Sequence, residues 1–498
     1  MSELDPALPV PIYFQLKTLL TEEILTGRYG PDDRLPTEHE LCARYGISRT
    51  PVTRALSELA DEGLILRRRR HGTFVNPHFV RRHPGRRELR VLVPEGAWEQ
   101  QIAAAAPPDV RLSVARVALP RLHHELTHAV AEGRGPDLAV VDSVWVAELG
   151  AAGFLWPLDE LDADWTSREY QHDFLEPFVS ANRHAGRPIA VQAEADVAGL
   201  WYSRRDLETR GLEPPETWAD MLVVGRALKA ARDPGFYPLA LPGGSRGGET
   251  TTYGLLALLA ANGARVLDDD GVTLDTPRAA EALAFLLRLE EEGIVRGEAV
   301  AYEWDRPIRL LAHGEAAMCI GGSYDGPALA AEAGRTLHDV WDQFRFAAIP
   351  VGPHGPRATL AGGMVYAILR QAAQPDMAMR LLERLTSTQA CARMSRATAQ
   401  LPPRRSAVDI VAAESPFLAA TAEMLASAAV RPSIPAYPRV SAQLQAMLEA
   451  VLMRRLAPEA AVARAADMIG AVTGLPVERA APPAGGSDVT PPITASIL

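Results

Sequence analysis

The chain has 498 residues, 47% of them hydrophobic and 23% charged, the composition of a folded globular protein with length for about three domains. Collagen-like, coiled-coil and wholly disordered chains are excluded on those values. Lys+Arg total 51 against Asp+Glu 62, a formal net charge of −11, which as an average argues against a protein coated in nucleic acid or bound to an anionic membrane.

The opening MSELDPALPV is acidic and broken by proline, so no signal-peptide pattern is read there. Ile12, Leu16, Leu19, Leu20 and Ile24 then fall on one helical face, with Gly27 as the stop. Thr37 and Glu40 have capping-box spacing for a short second helix whose apolar side is Leu41 and Tyr45. Gly46 turns the chain, and Ser48 is placed to cap a third helix, Arg49 to Glu62, with Val52, Leu56 and Leu59 inward. Pro51 is tolerated in a first turn, whose N–H groups lack helical partners. The outer face of that turn carries Arg49, Thr50, Thr53 and Arg54. Leu64 to Leu66 and Thr73 to Val75 read as two short strands joined by RRRRHG. Three helices and a basic hairpin make a winged helix, whose third helix would enter the major groove and whose hairpin would lie on the neighbouring minor groove or backbone. Charge agrees: residues 1–90 carry 15 Lys+Arg and 12 Asp+Glu, net +3, and the remainder is net −14.

The segment LPTEHELCARYGISRTPVTRALSELADEGLILRRRRHGTFV resembles the DNA-binding domain of GntR-family transcription regulators, over about residues 8–77. The resemblance implies DNA contacts by His39, Ser48, Arg49, Thr50, Thr53, Arg54, His71, Gly72 and Thr73. Two of these depart from the family pattern: His39 stands where LPSERELA has arginine, and Thr53 replaces the first of the two later arginines of SRTPVRRAL. Since a bidentate arginine–base contact is worth about 1–3 kcal/mol, the departures bear directly on which operator is preferred.

RRHPGRREL, residues 81–89, reads as a basic connector. From Leu89 the pattern is α/β: strands at Leu89 to Val93, Leu112 to Val117 and Pro136 to Asp142, with a helix over Leu122 to Glu132. Strands alternating with helices imply parallel pairing, with ligands at the strands' carboxyl ends, which nominates Pro94, Glu95, Asp142, Ser143 and Trp145. For Asp142 a helix N-cap, and for Trp145 core packing, are the alternative roles.

The series EGRGPDLAVVDSVWVAELGAAGFLWPLDEL, RPIAVQAEADVAGLWYSRRDL, LEPPETWADML, HGEAAMCIGGSYDG and TLAGGMVYAILR is similar, in order and spacing, to extracellular solute-binding proteins, the sugar-binding subunits of ABC importers. That resemblance spans about residues 88–410 and implies two α/β lobes closing over a ligand by a hinge. It implies that Asp142 and Trp145 line the cleft, that Gln192 to Asp196 form a crossover with Asp196 near ligand, and that Tyr324 is a stacking aromatic. It brings backbone at Gly362 and Gly363 close to the cleft; Arg404 and Trp304 are looser candidates, and Trp201 is expected in the core. Aromatics flanked by carboxylates suit the apolar faces and hydroxyl rims of a carbohydrate.

The expected organisation is a winged helix-turn-helix at 1–78, a linker at 79–88, a two-lobed periplasmic-binding-protein-like α/β domain at 89–475 and a disordered tail at 476–498, rich in Pro, Gly and Ala. The expected function is a cytoplasmic, homodimeric transcription regulator. Its partners are a double-stranded DNA operator and a small-molecule effector, a mono- or oligosaccharide. No cofactor, metal, membrane or catalytic residue is expected. Cys42, Cys319 and Cys391 are read as buried reduced thiols.

Alternatives stay open on the residues. A pyridoxal-phosphate body needs a Schiff-base lysine, and outside the head only Lys229 is available. A glycosidase carboxylate pair could be drawn from Asp159, Glu160, Asp162, Glu194 and Asp196. A sugar-binding module without regulation is the third. The glycine-rich PGGSRGGET, residues 242–250, lacks a GK[ST] ending and reads as a mobile loop.

Overall fold

The computed structural model describes residues 4, 11–25, 27–68, 71–77, 88–108, 110–230, 235–268 and 270–479. The expected linker, apart from Glu88, and the tail beyond residue 479 lie outside them.

Helices α1 (Ile12–Leu25), α2 (Glu38–Tyr45) and α3 (Arg49–Asp61) precede a wing of β1 (Ile65–Arg68) and β2 (Gly72–Val75), paired antiparallel with Leu66 opposite Phe74. The heptad-like apolar spacing converges: Leu16 and Leu20 of α1, Leu41 of α2, Val52, Leu56 and Leu59 of α3 and Val75 of the wing share one core, each such side chain worth roughly 1.5–3 kcal/mol on full burial. Thr37 and Glu40 form the expected capping box, and Gly46 ends α2 in the left-handed region. Ser48 is at the N-cap of α3 with extended backbone, but its hydroxyl makes no capping bond; the expectation that it caps is corrected to a position alone. Gly72 has φ +115, and a Cβ there would stand 2.9 Å from Arg34 Nε, so the wing turn needs glycine.

The strands that follow are β3 (Glu88–Pro94), β4 (Arg111–Val117), β5 (Leu138–Asp142), β6 (Arg183–His184), β7 (Arg187–Pro188), β8 (Val191–Gln192), β9 (Asp196–Ser203), β10 (Leu239–Ala240), β11 (Met318–Gly322), β12 (Phe344–Ala347), β13 (Thr359–Gly362), β14 (Met364–Ile368) and β15 (Ala428–Val430). The first lobe is a sheet ordered β4-β3-β5-β14-β8, covered by α4 (Trp98–Ala105), α5 (Leu119–Ala131) and later helices. Its β3, β4 and β5 pair in parallel as expected. The second lobe departs from that expectation: β11, β12 and β13 all lie antiparallel to β9. The reason is the crossovers, which bring the chain into the second sheet from the other end.

Two crossovers lie side by side. Residues 193–195 carry β8 into β9, and Gly363 alone carries β13 back into β14. Gly363 has φ +126, and a Cβ would stand 2.2 Å from Glu194 O. A further passage touches them where Ala195 and Leu401 exchange backbone hydrogen bonds of 2.8 and 3.1 Å. The lobes therefore meet at a narrow backbone junction, and at position 363 only glycine fits.

Two further expectations change. Residues 476–479 are packed, not disordered: Val272 N–H donates to Pro476 O and Glu478 N–H to Val272 O, both at 2.9 Å. The 242–250 segment is tied down: Gly243 N–H donates to Ala299 O at 3.0 Å, and Ser245 Oγ to Glu449 at 2.9 Å. It leads directly into the buried helix Glu249–Ala261.

The head is docked on the first lobe through α1. Phe14 packs against the first-lobe core, its ring 6.2 Å from that of Phe154. Glu22 stands 3.6 Å from Arg370, whose guanidinium lies 4.2 Å from the Trp156 ring centre. The opposite side of α1 holds α3: the buried Lys17 ammonium pairs with Glu58 at 3.2 Å and Glu62 at 2.5 Å.

Candidate functional site

Two polar assemblies stand out, one on the head and one between the lobes. On the head, His39, Ser48, Arg49, Thr50, Thr53, Arg54 and His71 are exposed, with Gly72 and Thr73 half-buried. Two of them, Arg49 and Thr53, converge on Glu38, in the first turn of α2. It accepts from Arg49 Nε at 2.8 Å, Arg67 Nη2 at 2.6 Å and Thr53 Oγ1 at 3.3 Å. The Arg49 hydrogen bond, with that of Arg67, holds the Glu38 carboxyl below its ordinary range against some burial. Arg54 is tied back instead: its guanidinium sits 3.6 Å from the Tyr13 ring centre and donates to Tyr13 OH at 2.9 Å and Glu58 at 3.1 Å. Glu38, Arg67 and Tyr13 were not singled out from sequence; Glu38 reads there as an ordinary acidic residue of a helix first turn.

Between the lobes the centre is Arg431, just past β15, its side chain 7% exposed. Nη2 reaches Asp142 Oδ1 at 3.2 Å and Ser143 Oγ at 3.3 Å, both of the first lobe. Nη1 reaches Glu249 Oε1 of the second lobe at 2.9 Å. Glu249 also accepts from Tyr437 OH and Ser441 Oγ, each at 2.6 Å. Burial opposes the guanidinium charge, but Asp142 and Glu249 more than restore it and raise its pKa well above the usual value.

Asp196 lies beside this group. It accepts from Tyr253 OH at 2.6 Å. Burial pushes its carboxyl up to about 6, Arg431 and Tyr253 pulling the other way. Tyr253 in turn packs on Tyr324 with ring centres 6.1 Å apart. A Cβ at Gly362 would meet Arg431 Nη2 at 2.6 Å and Asp196 Oδ1 at 3.2 Å. Glu194, at the crossover, is pushed up to about 8 by burial and by Asp196. Thus Asp142, Asp196, Tyr324, Gly362 and Gly363 are brought together. The cavity left among Ser143, Gln192, Gly362 and Arg431 is about 20 Å³, room for about one water molecule. A sugar ring enters that space only if the lobes part.

The other candidates sit elsewhere. Asp142 also takes its alternative role, accepting from Val144 N–H at 3.1 Å as an N-cap. Trp145 is half-buried on the first-lobe core, edge-on to His123 at 5.0 Å. Glu95 is exposed beyond β3, and Trp304 is 45% exposed; among the described residues neither hydrogen-bonds to the Arg431 group. Arg404 is corrected: it pairs with Asp173, and with Glu169 at 2.9 Å, and lines a separate recess of the first lobe. Its bonds to Asp173, to Glu169 and, at 3.0 Å, to Thr386 O account for it as an anchor. Trp201 is fully buried as expected. Arg431, Glu249, Tyr253 and Tyr437 were missed; an apolar strand ending on a charge, the signal that exposed Asp142, also marks Arg431.

Lys229 donates to Phe236 O at 2.7 Å and lies 3.9 Å from the Tyr237 ring centre. Among the described residues no group of three or more His, Cys, Asp or Glu is placed to hold a metal, and no helix is long and apolar enough to cross a membrane. Cys319 and Cys391 are buried free thiols and Cys42 is half-buried.

The family model for bacterial extracellular solute-binding proteins matches residues 92–390, and that for bacterial regulatory proteins of the gntR family matches residues 12–75. The chain is a member of the solute-binding protein family with a gntR-family domain ahead of it. The fold of this solute-binding body is shared with an ABC transporter solute-binding protein from Thermotoga lettingae solved with alpha-D-tagatose, at 25% identity and a TM-score of 0.71, covering 78% of this chain and all of that one. It is shared also with maltose-bound MalE3 of T. maritima, at 23% identity and a TM-score of 0.68, covering 77% and 99%. The gntR-family head is 48% identical over 67 residues to the histidine utilization repressor of Klebsiella aerogenes, 14% of this chain and 28% of that protein. It is 43% identical over 72 residues to the HTH-type regulator YurK of Bacillus subtilis, 14% and 30%. The chain therefore spans under a third of the length of these curated relatives.

Proposed function

We propose that this chain is a DNA-binding transcription regulator in which the solute-binding body senses a mono- or oligosaccharide and alters operator binding. Up to about residue 78 it reads DNA, as a homodimer in the cytoplasm; from Leu89 it senses. The observation that carries this reading is that α1 belongs to both parts at once. Its Lys17 holds α3 through Glu58 and Glu62, while its Phe14 packs on Phe154 of the first lobe. Tyr13, next to Phe14, carries Arg54 of α3. Asp142, at the lobe junction, leads within twelve residues of chain to Phe154. Closure of the lobes around a sugar thus has a packed route to the DNA-facing helix, and differential affinity for the two lobe arrangements would supply the coupling. The sugar-binding names of the structural neighbours and the repressor names of the head's relatives support the two halves of the reading.

A thermal-shift screen of sugars, followed by DNA binding at physiological salt, tests it. A sugar that binds only the folded state raises its melting temperature. Arg49→Ala should weaken specific DNA binding by about 1–3 kcal/mol and leave sugar affinity unchanged; Tyr324→Ala should do the reverse. Phe14→Ala should retain both and lose the effect of one on the other. Absence of sequence-selective DNA binding by the intact protein refutes the reading.

A further inference from the structure

We propose that the first lobe carries a second small-molecule site, apart from the lobe junction, that binds a phosphate monoester. A recess of about 360 Å³ lies between the end of α4, the helices Pro375–Leu385 and Thr388–Thr398, and the Trp165 and Arg404 side chains. That volume falls within the range of small-molecule pockets, roughly 300–1,000 Å³. Ala104, Ala105 and Trp165 give it an apolar part; Arg384, Arg393 and Arg404 give it a cationic one.

The three arginines are not equivalent. Arg404 is committed to Asp173 and Glu169 and lies 5.4 Å from the Phe174 ring centre. Arg384 lines the recess and donates through Nε to Ala105 O at 2.5 Å. Arg393 is exposed. Neither Arg384 nor Arg393 has a carboxylate of the described residues within 4.0 Å. The carboxylates that line the recess do not fill that role. Glu169 serves Arg404, and Glu383 comes within 4.0 Å of neither guanidinium group.

Two unneutralised guanidinium forks from adjacent helices thus share one recess with an indole. A phosphate monoester presents three terminal oxygens that can accept from both forks, and charge-assisted bonds of this kind are about twice as strong as neutral ones. A neutral sugar would leave both charges as they are. The ester's carbon skeleton would rest on Trp165 and the two alanines.

Titration calorimetry of the full-length protein with glucose 6-phosphate, inorganic phosphate and glucose tests the site. The expected result is one saturable event with glucose 6-phosphate, weakened about tenfold by Arg393→Ala and more by Arg393→Glu, with Tyr324→Ala leaving it unchanged. Tighter binding of glucose 6-phosphate than of inorganic phosphate assigns the site to a sugar ester; equal binding assigns it to free phosphate. No saturable heat from either phosphate at millimolar concentration overturns the proposal, as does an affinity that both Arg393 variants leave intact. The sugar-induced thermal shift and operator binding, measured in the same Arg393 variants, report the lobe junction and head separately. Failure here therefore leaves the regulator reading standing, and failure of that reading leaves this titration interpretable.

Discussion

The head and the lobe junction are built on the same device with the charges reversed. On the head one carboxylate, Glu38, gathers two arginines, Arg49 and Arg67, whose side chains are 81% and 41% exposed. At the junction one arginine, Arg431, gathers two carboxylates, Asp142 and Glu249, and is itself 7% exposed. Water decides what each can do. Exposed pairs are screened and contribute little, a median of about 0–1 kcal/mol, so the Glu38 partners can be surrendered to another anion at small cost. A buried group that loses its partner is left charged in a poorly solvating place, so the Arg431 assembly resists rearrangement unless the lobes separate and water enters. The first arrangement suits a surface that exchanges partners on DNA, the second a junction with two discrete states.

The largest test of this contrast is Arg431→Ala. It leaves Asp142 and Glu249 facing each other across the junction without their cation. The expected loss is about 3–5 kcal/mol, the usual result of removing one partner from a buried pair. It is measured as a fall in the urea midpoint followed by tryptophan fluorescence. A loss under about 1 kcal/mol would place the junction with ordinary surface pairs and dissolve the distinction.

How far each assembly could be read in advance follows from how local it is. The head was legible because its signals are short-range: the apolar spacing of Leu16, Leu20 and Ile24, the Thr37–Glu40 box and the turn at Gly46 all act within a few residues. The three parallel strands that open the first lobe were legible as well, because each is a short apolar run in a chain that alternates strands with helices. Asp142 could be found because it stands at the end of a buried strand, and Asp196 because the solute-binding resemblance places it at a crossover. Their pairing could not: Arg431 carries a strand-end signal of its own, but it is 289 residues from Asp142, and Tyr253 is 57 from Asp196, and no periodicity links them. Arg404 was misplaced by the opposite error, since a lone arginine after LPP carries no sign that Asp173, 231 residues away, has already claimed it. The antiparallel placing of β9 in the mixed second sheet was hidden in the crossovers, where a single residue, Gly363, changes lobe.

A smaller effect is expected in pH dependence. Glu194 has its carboxyl raised from 4.5 to about 8 by burial and by Asp196. Between those values the folded state holds a proton that the unfolded state has released, so stability is greatest below 4.5 and declines as pH rises toward 8. Asp325, raised to about 7, and Asp196, raised to about 6, act in the same direction. Glu194→Gln removes one of these contributions. Melting temperatures of the variant and the parent should therefore diverge with rising pH, the variant falling less between pH 5 and pH 8. Parallel curves would mean that Glu194 is solvated at the crossover, and that the burial separating the junction from the head does not extend there.

The smallest effect is expected at the other centre. Glu38→Gln removes the carboxylate that Arg49 and Arg67 share, yet folding stability should change by no more than about 1 kcal/mol, because all three groups reach water. DNA affinity at low salt should rise, since two guanidinium groups no longer have to leave a protein anion to meet phosphate. The gain should shrink as salt is raised, because phosphate neutralisation releases counterions and steepens the salt dependence by about 0.9 per added contact. Anisotropy titrations of an operator fragment at several salt concentrations would show it. The opposite outcome has a distinct meaning. If affinity falls at every salt concentration, Glu38 is aiming Arg49 rather than restraining it, and the exposed assembly is a rigid template like the buried one. A fall restricted to the operator, with binding to unrelated DNA unchanged, would localise that aiming to base contacts, because phosphate contacts alone carry no sequence information.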